Sequence, residues 1–136
     1  MAIFVLTTPT VTVTTEDLSA YVRSVKLNCG ADIKETTASG ATAKTRLAGF
    51  ADWDAEVEFN QDFDAALVDE VLFPLVGADP FVFKVRATSA VMSATNPSYD
   101  GTGVLETYPS ISGNVGDVAA VIIRIRGSGP LIRTVP

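Results

Sequence analysis

Apolar and polar residues alternate with a period of two along much of this chain, most clearly over residues 51–60, where Asp52, Asp54, Glu56 and Glu58 interleave with Trp53, Ala55, Val57 and Phe59. Successive side chains on a strand point to opposite faces, so the pattern predicts a strand with one apolar face and one face of four carboxylates. Residues 11–14, 21–28, 81–86, 103–112 and 119–126 read as further strands. In the second of these, Val25 and Leu27 oppose Ser24, Lys26 and Asn28; in the last, Val121, Ile123 and Ile125 oppose Ile122, Arg124 and Arg126. One stretch has helical spacing instead: Leu67, Val71 and Leu75, with Val68 and Leu72. Asp62 or Asp64 is placed to cap that helix, Pro74 to kink or end it, and Gly77 to close it. Five or six strands with one helix predict a mainly β fold: a single domain over residues 1–136, built as a β-sandwich or barrel with a flanking α-helix.

The segments between these elements differ in character. Residues 30–48 are polar, rich in Thr and Ala, and without a clear period, which predicts a long inter-strand loop of the kind that is usually functional or disordered. Lys34, Lys44 and Arg46 make it attractive to an acidic partner surface. Residues 87–101 are small and polar, with Asn96-Pro97 and Asp100-Gly101, and predict another connecting loop. The ends, residues 1–9 and 127–136, read as extended terminal arms. Nine extended residues reach roughly 30 Å. Ile3, Phe4, Val5 and Leu6 favour docking of the first arm, because a free tail gains nothing from exposed aliphatics.

Composition narrows the chemistry. The net charge is −6 with a pI near 4.4, which argues against a chain that grips phosphate backbones. The chain has no histidine, which removes Ser-His-Asp and Cys-His catalysis and the usual zinc-site imidazoles. The expectation is therefore no enzyme and no cofactor. Cys29 is alone and forms no internal disulfide. The apolar start is too short for a signal peptide and no run approaches a membrane helix, so the reading is a soluble cytoplasmic protein with no membrane partner.

Four carboxylates in a row repel one another, and several environments relieve that. On a solvated sheet face, Lys26, Arg124 and Arg126 on other strands pair with them. A calcium site wants six to eight converging oxygens, which a straight strand does not supply. A carbohydrate-binding or carbohydrate-acting sandwich is the alternative, with two of Asp52, Asp54, Glu56 and Glu58 as acid and nucleophile roughly 5–5.5 Å apart. Trp53 lies on the wrong face to stack a sugar. A water-filled passage is the remaining setting for such a row.

The order of several fragments resembles the major tail (tail tube) proteins of siphophages. These are Asp17-Leu18-Ser19 leading into Val22-Arg23-Ser24-Val25, Thr45-Arg46-Leu47-Ala48-Gly49 before Asp52-Trp53, Glu58-Phe59-Asn60-Gln61-Asp62-Phe63 before a helix ending Leu72-Phe73-Pro74-Leu75-Val76-Gly77, Ser93-Ala94-Thr95-Asn96-Pro97, and Ser112-Gly113-Asn114-Val115-Gly116-Asp117. The resemblance covers nearly everything from Thr12 to about Arg133. It implies a structural, non-enzymatic subunit of a virion tail, assembled in the host cytoplasm as hexameric rings stacked into a tube. DNA passes through the channel without specific binding, and tail tip, tape measure and terminator proteins are the other partners. On this reading Asp52, Asp54, Glu56 and Glu58, with Arg124 and Arg126 if they share the face, line the lumen. The long loop (Lys34, Lys44, Arg46) and the arms (Ile3, Phe4, Leu6) bridge successive rings. The related tube of a contractile or secretion machine, or a tail-terminator-like ring, is the neighbouring possibility.

Overall fold

Eight strands realise the alternation: β1 (Thr10–Val13), β2 (Glu16–Asp17), β3 (Val22–Glu35), β4 (Arg46–Asn60), β5 (Phe81–Arg86), β6 (Ser98–Thr107), β7 (Ala120–Gly127) and β8 (Ile132–Thr134). They belong to a computed structural model that describes residues 3–65 and 67–136; Met1 and Ala2 of the expected N-terminal arm, and Ala66, lie outside the described residues. Every strand pair is antiparallel, in the order β2-β1-β5-β6-β7-β4-β3, with β8 paired to β6.

The sheet folds over on itself. Strands β4 and β5 are not neighbours in it, yet the rings of Trp53 on β4 and Phe83 on β5 stack at 6.1 Å between centroids and 15° between planes. Strand β6 makes the crossing: residues 98–103 pair with β5 and residues 103–107 with β7. One continuous core results, with Val11, Val13, Phe81, Phe83 and Val85 from one half facing Trp53, Ala55, Val57, Phe59, Val121, Ile123 and Ile125 from the other. Each such side chain contributes about 1.5–3 kcal/mol on burial. Gly101, Gly103 and Gly127 form the bed of the Trp53 indole, because a Cβ on any of them would stand 2.5–3.3 Å from its ring atoms.

The helix is shorter than its apolar stripe predicted. Helix α1 spans Val68–Leu72, a 3-10 turn Phe73–Leu75 carries Pro74, and Gly77 closes it at φ 75°. Pro74 and Gly77 thus act as expected, but neither Asp62 nor Asp64 caps α1. The Asp62 carboxylate instead accepts the Asp64 N–H at 2.9 Å, while the Asp62 carbonyl accepts the Asp69 N–H at 3.1 Å. The expected strand 103–112 starts earlier and ends earlier, at Ser98 and Thr107. Its first half looked like a loop because glycines, not apolar side chains, meet the core there.

The turn before α1 is tied to the segment after β6. The Tyr108 hydroxyl donates to Asp69 Oδ1 at 2.6 Å, and Gln61 Nε2 donates to Tyr108 Oη at 2.9 Å and to the Ser110 carbonyl at 2.7 Å. Burial, and then the Asp69 carboxylate that accepts its proton, push the Tyr108 phenol up to about 12. Its folded value lies above its unfolded one, so its contribution to stability is complete below about pH 10 and is lost as pH rises towards 12. Tyr108→Phe should cost about 1 kcal/mol at neutral pH and flatten the loss of stability above pH 10, as read by urea denaturation across that range. An unchanged alkaline slope would remove this role.

Candidate functional site

The outer face of the β3, β4, β7 and β6 half carries the charges. Because Trp53, Ala55, Val57 and Phe59 are buried, alternation puts Asp52, Asp54, Glu56 and Glu58 together on the opposite face. On β7, burial of Val121, Ile123 and Ile125 sends Ile122, Arg124 and Arg126 to the same face. Register then builds rows across the strands: Lys26, Glu56 and Arg124 in one, Asn28, Asp54 and Arg126 in the next, Ser24, Glu58 and Ile122 in the third.

The carboxylates are consequently not a bare acidic strip. Arg124 Nη2 lies 3.2 Å from Asp54 Oδ2, and Arg124 Nε 3.1 Å from Glu106 Oε2. Arg126 Nε lies 3.3 Å from the same Glu106 oxygen, and Arg23 Nη1 3.6 Å from Glu58 Oε1. Five carboxylates (Asp52, Asp54, Glu56, Glu58, Glu106) meet four cations (Arg23, Lys26, Arg124, Arg126). Exposed pairs of this kind are worth about 0–1 kcal/mol each, so the ladder organises charge more than it stabilises the fold. Glu106 follows buried Leu105 onto this outer face, at the irregularity between Leu105 and Thr107, and alternation within 103–107 was the signal that could have found it.

Of residues 30–48, expected as a long loop, only 36–45 lie outside strands. Beyond Gly30 and Asp52, strands β3 and β4 leave the core and continue as a two-stranded ribbon exposed on both sides, with an irregularity between Ala31 and Ile33. Its tip is tied by Thr36 and Thr45, whose hydroxyls lie 2.8 Å apart, while the Thr36 N–H donates to the Thr45 carbonyl at 2.8 Å. Ile33, Leu47 and Phe50 are exposed on it, Phe50 to 89%. Lys34 faces Leu47 across the ribbon, Arg46 faces Glu35, and Lys44 lies in the tip. Sequence reading took the ribbon's charges and missed its apolar residues, although Phe50 and Leu47 stand in a segment with no core to bury them.

The two arms differ. Leu6 lines a groove with Val25, Leu27, Val85 and Tyr99 while remaining half exposed, and Ile3, Phe4 and Val5 are more exposed still. The C-terminal arm returns to its own domain as β8 on residues 98–100 of β6, with Leu131 packed on the core. A further exposed apolar set, Ile111, Val115 and Val118, stands on the connection between β6 and β7. That connection helps line a cleft of about 520 Å³ with Arg23, Glu58 and Ile122.

Trp53 is sealed in the core behind the acidic face, and Asp54 and Glu58 are engaged by arginines. Among the described residues no three carboxylates or thiols converge as metal ligands.

No family model and no curated protein matches the chain by sequence. Solved structures do. A chain of the sheath/tube terminator of an extracellular contractile injection system, PVC, in its extended state aligns with a TM-score of 0.72 at 14% identity, over 97% of this chain and 96% of that one. A chain of the virion of a native gene transfer agent particle gives 0.68 at 13% identity over 91% and 95%. The tail of an empty gene transfer agent particle, refined helically with C6 symmetry, contributes a chain at 0.64 and 11% identity over 84% and 82%. This is the fold of chains in those tail and tube assemblies.

Proposed function

We propose that the protein is a structural tube subunit of a phage-like tail, assembling into six-membered rings that stack around a channel. The observation that carries this reading is the ribbon: a two-stranded hairpin is marginal alone in water, and one bearing exposed Ile33, Leu47 and Phe50 needs a partner surface. Stacking on the next ring supplies one, with Lys34, Lys44 and Arg46 meeting acidic groups there. The fold shared with tail and tube chains supports the same role. Within a ring, the fourteen-residue β3 has no strand beyond it, and pairing that edge with a neighbouring copy removes the hazard of an open edge.

The charged face then lines the channel. Its mechanism is not simple acidity. Glu106 and Asp54 hold Arg124 and Arg126, so these two arginines are already paired and offer DNA phosphates little free positive charge to bind. The small excess of carboxylate adds repulsion, and a polyanion slides without sticking. The subunit works without catalysis or cofactor in the virion tail after assembly in the host cytoplasm, with tail tip, tape measure and terminator proteins as its other partners. Both siphophage-type and sheathed tails are consistent with this subunit.

Negative-stain electron microscopy of the purified protein at high concentration, with light scattering for mass, is the direct test: rings or hollow tubes are expected, and strictly monomeric protein at all concentrations counts against the reading. Glu106→Gln tests the channel. It frees Arg126, leaves Arg124 to Asp54 alone, and should leave tubes intact while slowing genome passage, with recovery as ionic strength rises. Unchanged passage at every salt concentration would take this face out of the channel.

A further inference from the structure

We infer that the N-terminal arm clasps the adjacent copy within the same ring, laying Ile3, Phe4 and Val5 over the exposed Phe73 and Val76 of that neighbour. The inference rests on the ring reading above and assigns it a seam. Leu6, itself 47% exposed, lines a groove of about 310 Å³ with Val25 and Leu27, which brings the chain beside β3, the outermost strand of its half. Ahead of Leu6, Ile3, Phe4 and Val5 stand exposed to 83%, 58% and 80%. What lies beyond a free β3 edge in a closed ring is the opposite edge of the next copy.

That opposite edge has matching chemistry. It is the second half of β6, where Val76 bridges Leu105 on the side away from β7. Phe73 and Val76 stand there 59% and 54% exposed. Residues 3–10 and residues 71–78 each contain no charged side chain over eight positions, in a protein with 26 of them (10 basic and 16 acidic). An uncharged apolar arm at one edge and an uncharged apolar knob at the other make a heterologous contact that closes, and burying both removes the exposed aliphatic surface of each. The arm therefore acts around the ring, while the ribbon acts between rings.

Single-cysteine variants in a Cys29→Ser background, mixed in pairs and treated with a short bifunctional maleimide after assembly, test this. Phe4→Cys mixed with Val76→Cys should give a heterodimer as the dominant product, and Phe4→Cys mixed with Thr42→Cys at the ribbon tip should give little. Tubes in which Phe4→Cys joins Thr42→Cys, or Val115→Cys, instead of Val76→Cys would leave the tube reading standing and overturn the clasp. Absence of rings or tubes even for the unmodified chain would remove the tube reading and the clasp with it. As a second arm, Phe4→Asp should lower the yield of closed rings while leaving the monomer's thermal midpoint unchanged; rings at the normal yield would contradict the clasp.

Discussion

Gly127→Val is expected to bring the protein close to unfolding at room temperature. The added Cβ would stand 2.5 Å from Trp53 Nε1 and 2.6 Å from Cδ1, far inside contact distance. The indole has no room to retreat, because a Cβ position at Gly101 is 2.8 Å from Cζ2 and Phe83 stacks on the ring. Overpacking of a closed core costs about 1–3 kcal/mol and more where backbone must move. Truncating the other partner, Trp53→Ala, should cost about 3–5 kcal/mol by opening a cavity. Either is a large share of the roughly 5–15 kcal/mol that stabilises a domain. The combination decides the cause: with the indole gone, the side chain introduced by Gly127→Val has space, so the double variant should be less destabilised than the two single losses added. Strict additivity in urea denaturation would show that Gly127 serves something other than the indole.

Removing the ribbon should abolish assembly and barely touch the fold. Ala31 and Ala51 are directly paired, so replacing residues 32–50 by Asn-Gly joins them through a two-residue turn of the type hairpins favour. No residue of the core lies in the excised segment. Stability should stay within about 1 kcal/mol, since exposed changes rarely cost more, and circular dichroism should still report a β protein. Rings stacked into tubes should disappear from micrographs. Tubes of normal length from this variant would mean that stacking uses other surfaces. The contrast with Gly127→Val is informative, because one change destroys the monomer and the other only its capacity to build.

How much of this was legible beforehand follows from where side chains meet side chains. Strand β4 was readable because its buried residues are large and its outer ones charged, and β5 and β7 for the same reason. The start of β6 was not, since Gly101 and Gly103 serve the core by what they lack, and hydropathy does not register an absent side chain. The ribbon looked like a loop because neither of its faces is covered, so no alternation was imposed on it. Asp54, Glu56 and Arg124 could be placed on one face from parity alone, but their pairing needed register, which is a property of two strands and not of one. Glu106 was equally open to parity, following buried Leu105, but its contact with Arg124 and Arg126 also needed register.

Strand β6 belongs to both halves of the molecule, handing over from β5 to β7 at Gly103. Two sheets joined only by loops can slide over one another under shear; two sheets that share a strand cannot, because sliding would have to break backbone hydrogen bonds along that strand. A load applied to the inner wall of a tube would thus pass directly into the outer layer through a single covalent chain. In the proposed tube, which would have to bend, survive collision and hold its bore open, β6 would be the beam of the subunit.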